Sequence, residues 1–145
     1  MPIHPSDEVV AAWARLIKAS RLALAAVEAD LKKAGLPPLG WYDALLELRR
    51  AAGPLRPVEL EGRLLLAQHN VSRLVDRLEA QGYVARQPCE EDGRGQLVEL
   101  TDSGRDLLRR MWPTYRAAIH RHVGAKLGDE QAATLARLLQ RLLQS

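Results

Sequence analysis

Between Gln68 and Arg77 the side chains divide into two sets. Val71, Leu74, Val75 and Leu78 recur at i, i+3, i+4 and i+7, the spacing of one buried helical face. The remainder is Gln68, His69, Asn70, Ser72, Arg73, Asp76 and Arg77. It is short and polar at its start and arginine-bearing further on. Such residues can read nucleic acid. The amides of Gln68 and Asn70 match the edge of adenine, and the Arg73 guanidinium matches guanine or a phosphate. A solvated helix face has much the same composition, so the neighbouring elements must decide between the two.

Other reactive side chains are few. Cys89 stands near Arg86 and Arg94, and neighbouring positive charge favours a reactive thiolate. Glu90, Glu91 and Asp92 oppose that effect. His120 and His122 are two apart and do not share a helical face, and His4 and His69 have no ligand pattern around them. The sequence has no nucleophile elbow, phosphate-binding loop or dinucleotide fingerprint. It therefore predicts no enzyme, no metal and no cofactor.

The elements that must carry the polar set follow from the periodicity. A long helix is expected from about Ser6 to Ala34, with Ser6 as its N-cap and a stripe of Val10, Trp13, Ile17, Leu24, Val27 and Leu31. A second runs from about Trp41 to Ala52, with Tyr42, Leu45, Leu46 and Leu48 inward. A short helix opens at Arg56-Pro57, where Val58, Leu60, Leu64 and Leu65 should supply the buried side. The polar set then lies on a helix from Ala67 to Ala80. Two short strands, Tyr83–Gln87 and Gln96–Leu100, flank a charged turn. Thr101 caps a long helix from Asp102 to about Leu127, which Pro113 should kink or divide. Its apolar residues are Leu108, Met111, Trp112, Tyr115, Ile119 and Val123. A last helix after Gly128-Asp129 carries Leu135, Leu138, Leu139, Leu142 and Leu143. The fold class is mostly α, with a small β component. A winged helix-turn-helix head at about 41–104 is flanked by dimerisation helices at about 1–36 and 105–145. The whole forms a single domain over residues 1–145.

Composition agrees with a folded chain. There are 145 residues, 47% of them hydrophobic and 27% charged, with a single cysteine. That length can bury a core without disulfides, and one cysteine suits a reducing compartment. No apolar run approaches a membrane span, and the acidic start Ser6-Asp7-Glu8 lacks the basic region of an export signal, so a cytoplasmic protein is expected. The net charge is +3, but residues 56–96 hold six basic and seven acidic side chains. Net charge alone therefore does not establish a nucleic-acid surface.

The stretch Val71-Ser72-Arg73-Leu74-Val75-Asp76-Arg77-Leu78-Glu79-Ala80-Gln81-Gly82-Tyr83-Val84 resembles the recognition-helix signature of the MarR (multiple antibiotic resistance regulator) family. Arg86, Asp92-Gly93-Arg94, Val98-Glu99-Leu100-Thr101 and Gly104 resemble its wing. The match covers about residues 56–104. The resemblance implies a homodimeric cytoplasmic transcription factor, usually a repressor, on pseudo-palindromic double-stranded DNA. Gln68, His69, Asn70, Ser72 and Arg73 would enter the major groove. Arg77 would lie near the backbone, and Arg94 would reach the minor groove or its phosphates. Asp92 would pair with an arginine of the wing, for which Arg86 and Arg94 are the candidates.

A small aromatic or phenolic effector is also implied, with Trp13, Trp41, Tyr42 and Asp43 as the residues to inspect. Core packing for the tryptophans and a helix-start role for Asp43 are the plainer alternatives. The chain departs from the family in having Ala67 where a serine or threonine cap is usual, and Leu64-Leu65-Leu66 where the turn often has glycine. Two other readings stand beside this one. One is a winged-helix protein-interaction module without DNA binding. The other is a thiol-based redox-sensing regulator acting through Cys89.

Overall fold

The computed structural model describes residues 3–88 and 95–144. The order is α1 (Asp7–Lys33), α2 (Leu39–Arg50), α3 (Pro57–Arg63), α4 (Val71–Ala80), β1 (Val84–Pro88), β2 (Gln96–Leu100), α5 (Asp102–Ile119) and α6 (Asp129–Leu143). These fall into two compact units, residues 31–114 and residues 1–30 with 115–145. Among the described residues no helix is long and apolar enough to cross a membrane.

The unit of residues 31–114 holds the helix-turn-helix and the hairpin. Its core is Leu45, Leu60, Leu74, Val75, Leu78, Val98, Leu107, Leu108 and Met111. β1 and β2 pair antiparallel, with Val84 opposite Leu100 and Pro88 opposite Gln96. Leu55 adds a third rung, exchanging both backbone hydrogen bonds with Val98 at 2.9 and 2.7 Å. Sequence periodicity could not find it, because a single-residue bridge has no period. Thr101 caps α5 as expected: its hydroxyl accepts from Gly104 N at 3.1 Å and donates to Gly82 O at 2.7 Å. A Cβ on Gly104 would collide with the Tyr83 carbonyl oxygen and with Leu100. Gly104→Ala should therefore destabilise the fold by roughly 1–3 kcal/mol, read by denaturant titration.

α3 and α5 differ from the sequence expectation. α3 ends at Arg63, which leaves Leu65 outside it and 73% exposed; within the helix Leu60 is fully buried, while Val58, two residues away and so on another face, is 70% exposed. Leu65 lies beyond the helix, in the connection to α4. Pro113 does not divide α5, which continues to Ile119. The interruption comes later, as a π-helical turn over His120–Gly124 that closes with Ala125 N donating to His120 O at 2.7 Å.

In the unit of residues 1–30 and 115–145, Ser6 caps α1 through Val9 N at 3.2 Å. Asp30 Oδ2 accepts from Arg121 at 2.9 Å and meets His122 Nε2 at 3.0 Å. The apolar stripes are present but largely uncovered. Val10, Trp13 and Ile17 on α1 are 50%, 65% and 46% exposed. On α6 no residue is fully buried, and Leu138 and Leu142 are 54% and 67% exposed.

Candidate nucleic-acid interface

α4 begins at Val71, four residues later than periodicity suggests. Asn70 decides this. Its backbone is extended, and its Oδ1 accepts from Arg73 N at 3.0 Å, which makes it the N-cap. The absent serine or threonine at position 67 is thereby explained, because the cap lies three residues on. Gln68 and His69 belong to the connection before the helix, not to the helix. Asn70 has one amide oxygen lone pair committed to the cap, so its main role is local.

The inner face of α4 is Val71, Leu74, Val75 and Leu78, all buried. Ser72, Arg73, Asp76 and Arg77 are exposed. The helix closes at Gly82, which adopts φ +79°. Tyr83 N then bonds back to Leu78 O and Gly82 N to Glu79 O, both at 2.9 Å. This tight exit leads straight into β1, so the hairpin is fixed to the end of the helix.

The charge on this face is arranged by Arg86 of β1. Its two terminal nitrogens take Asp76 at 2.6 Å and Glu79 at 2.8 Å. The hydrogen bond to Asp76, above all, holds the Arg86 pKa above its ordinary value despite partial burial. Both acids of the outer face are thus bonded to one guanidinium. Among the described residues Arg73 and Arg77 have no acidic partner. The net effect is a helix face whose free charges are positive, on a segment whose summed charge is slightly negative.

The remaining candidates are dispersed. Trp41 stands edge-on to Tyr83, ring centres 6.1 Å apart. Tyr42 stacks on Trp112 at 6.4 Å, and burial pushes its phenol pKa up against the opposing pull of Arg49 and Arg50. Asp43 is buried, and its two oxygens accept from Leu65 N and Leu66 N at 2.9 and 2.8 Å. It sits past the first turn of α2, so it is not a helix-start acid. Trp13 is exposed in the other unit. Cys89, Asp92 and Arg94 lie outside the described residues, and with them the expected Asp92 ion pair. Among the described residues no group of His, Cys, Asp and Glu could hold a metal ion.

Comparison with known proteins bears on this arrangement. The model of the MarR family matches residues 34–95. YkoM of Bacillus subtilis, an uncharacterized HTH-type transcriptional regulator, is 33% identical over 102 residues, which are 70% of this chain and 65% of YkoM. The chain thus spans a little under two thirds of that relative's length. The crystal structure of Sco3205 from Streptomyces coelicolor, a MarR family transcriptional regulator in complex with DNA, superposes with a TM-score of 0.83 at 29% identity. That likeness covers 99% of this chain and 90% of Sco3205. In sequence and in fold the chain is similar to the MarR family of transcriptional regulators.

A mutant MarR from E. coli, crystallised with operator DNA, is similar to this chain over 95% of its length and 97% of its own. Its TM-score is 0.78 and its identity 25%. Beside that likeness, this chain caps the signature helix with Asn70. The Arg86 clamp was hidden from the sequence: resemblance offered Asp92 as its partner, whereas the described partners lie ten and seven residues earlier, on α4. The spacing of Asp76 and Glu79, three apart on the exposed face, was the signal that could have found it.

Proposed function

We propose that this chain is a cytoplasmic, sequence-specific regulator of transcription that binds double-stranded DNA as a homodimer. The reading extends to repression of pseudo-palindromic operators and release by a small aromatic or phenolic effector. The observation that carries it is the outer face of α4, where Arg86 neutralises Asp76 and Glu79 and Arg73 and Arg77 have no acidic partner among the described residues. The DNA complex of Sco3205 supports it. Homodimerisation is supported by the uncovered apolar stripes of α1 and α6, which two copies could bury against each other. Of the four residues offered for an effector, Asp43 has both carboxylate oxygens committed, which leaves Trp13, Trp41 and Tyr42.

The test is enrichment of random duplex DNA by the purified protein near 0.15 M salt. A palindromic motif is expected. No enrichment from a folded dimer would favour an interaction module that does not read DNA. On the enriched sequence Arg73→Ala should cost roughly 1–3 kcal/mol and relax one base position. Arg94→Ala should weaken binding to every sequence and flatten the salt dependence by about one unit. Equal losses from both on all DNAs would refute this division of roles.

Arg86→Ala makes a separate case. It uncovers two carboxylates on the face that meets phosphates, and affinity should fall roughly tenfold on all DNAs, more at low salt. Asp76→Asn with Glu79→Gln in the same chain should restore most of the loss. Failure of that rescue would mean that Arg86 touches DNA itself.

A further inference from the structure

The connection from α3 to α4 carries the front of the reading helix, yet little of it is tied down. Leu64 and Asn70 are both extended. Among the described residues, 65–69 donate no backbone–backbone hydrogen bond. A segment of this kind ordinarily samples many conformations, and a loosely held reader discriminates bases poorly. What holds it here is α2. Two residues of that helix, three apart and so on one face, meet the connection at separate points.

The first point is Asp43. It is the one buried charged side chain among the described residues, 4% exposed. Burying a carboxylate is costly unless its oxygens are satisfied. A hydroxyl could accept one amide at less cost. The carboxylate accepts two consecutive amides, Leu65 N and Leu66 N, and so fixes two successive peptide planes. With those planes fixed, the Leu65 side chain is left exposed and Leu66 half-buried.

The second point is Gly40, buried on α2. A Cβ there would collide with the side-chain Nε2 of Gln68. The Gln68 amide therefore occupies space that any other residue at position 40 would fill. Glycine is otherwise a poor choice inside a helix.

We propose that Gly40 and Asp43 form a seat on α2 that positions residues 65–68, and so set the geometry with which the N-terminal end of α4 meets DNA, without touching DNA themselves. This rests on the DNA-binding reading above. It makes both residues specificity-determining positioning residues.

Gly40→Ala separates positioning from simple stabilisation. Alanine favours the helix, and the clash falls on the far end of a flexible side chain, so the fold should tolerate it. The thermal midpoint is expected to stay or rise, while the ratio of affinity for the enriched motif over random duplex falls about fivefold or more. Asp43→Asn keeps the size but turns an amide N–H toward a backbone N–H. It should lower the same ratio further and leave the salt slope unchanged, since no phosphate contact is lost. If Gly40→Ala acts by displacing Gln68, then Gly40→Ala with Gln68→Ala should match Gln68→Ala alone.

An unchanged ratio in both single variants would overturn the proposal. So would parallel losses on both DNAs, which indicate a smaller folded fraction rather than a misplaced reader. If the wild-type chain itself enriches no motif, the DNA-binding reading fails first and the seat falls with it; retained wild-type specificity with insensitive variants sinks the seat alone.

Discussion

Leu138→Glu is expected to yield a folded monomer that has lost tight operator binding. Leu138 is 54% exposed in the single chain, within an apolar run that includes Leu135, Leu142 and Leu143. α6 has no fully buried residue of its own, so the substitution removes little internal packing. In a symmetric dimer the same stripe is buried on both subunits, and each substitution counts twice. An unpaired buried carboxylate costs several kcal/mol, which exceeds what a modest interface can absorb. Two linked heads gain about 10²–10⁴ in avidity over one, and that gain should vanish. Sedimentation should show half the mass at micromolar concentration, and operator affinity should fall by about a hundredfold or more. Leu138→Met should behave as wild type. A dimer that survives Leu138→Glu would place the interface elsewhere.

Leu78→Ala should be the most damaging single truncation of the reading head. Leu78 is fully buried in the last turn of α4, and its carbonyl accepts the bond from Tyr83 N that closes the helix. Removing three carbons from a packed site leaves a cavity and costs roughly 2–5 kcal/mol. For a chain of this size the thermal midpoint should drop by roughly 6–15 °C. DNA affinity measured per folded molecule should change far less, because no outward residue is altered. If specific affinity falls as steeply as stability, then packing under α4 also sets its reading geometry.

The recognition signature was legible in the sequence because its information is local. The four inward residues of α4 lie within two turns, and all four are buried as their spacing requires. The presence of the hairpin, the Ser6 cap and the Thr101 cap are local in the same sense. Periodicity also found the stripes on α1 and α6, although it could not show that a single chain leaves them uncovered. The expected burial of Leu65 failed because periodicity assumed that the helix continues past Arg63, and that of Val58 because it stands two residues from Leu60 and so on another face of α3.

What the tertiary structure alone decided lies across gaps in the chain. Asp43 meets Leu65 and Leu66 from 22 and 23 residues away. Leu55 pairs with Val98, and Arg86 crosses from β1 to bind the two acids of α4. Each of these joins a short polar group or a single bridge to a partner in another element. Helical and strand periods record which side of an element is apolar. They carry no record of which polar group on one element meets which amide on another. Residue spacing therefore determined which face of α4 is apolar and which is polar, and only folding determined how the polar face is held and how its charge is set.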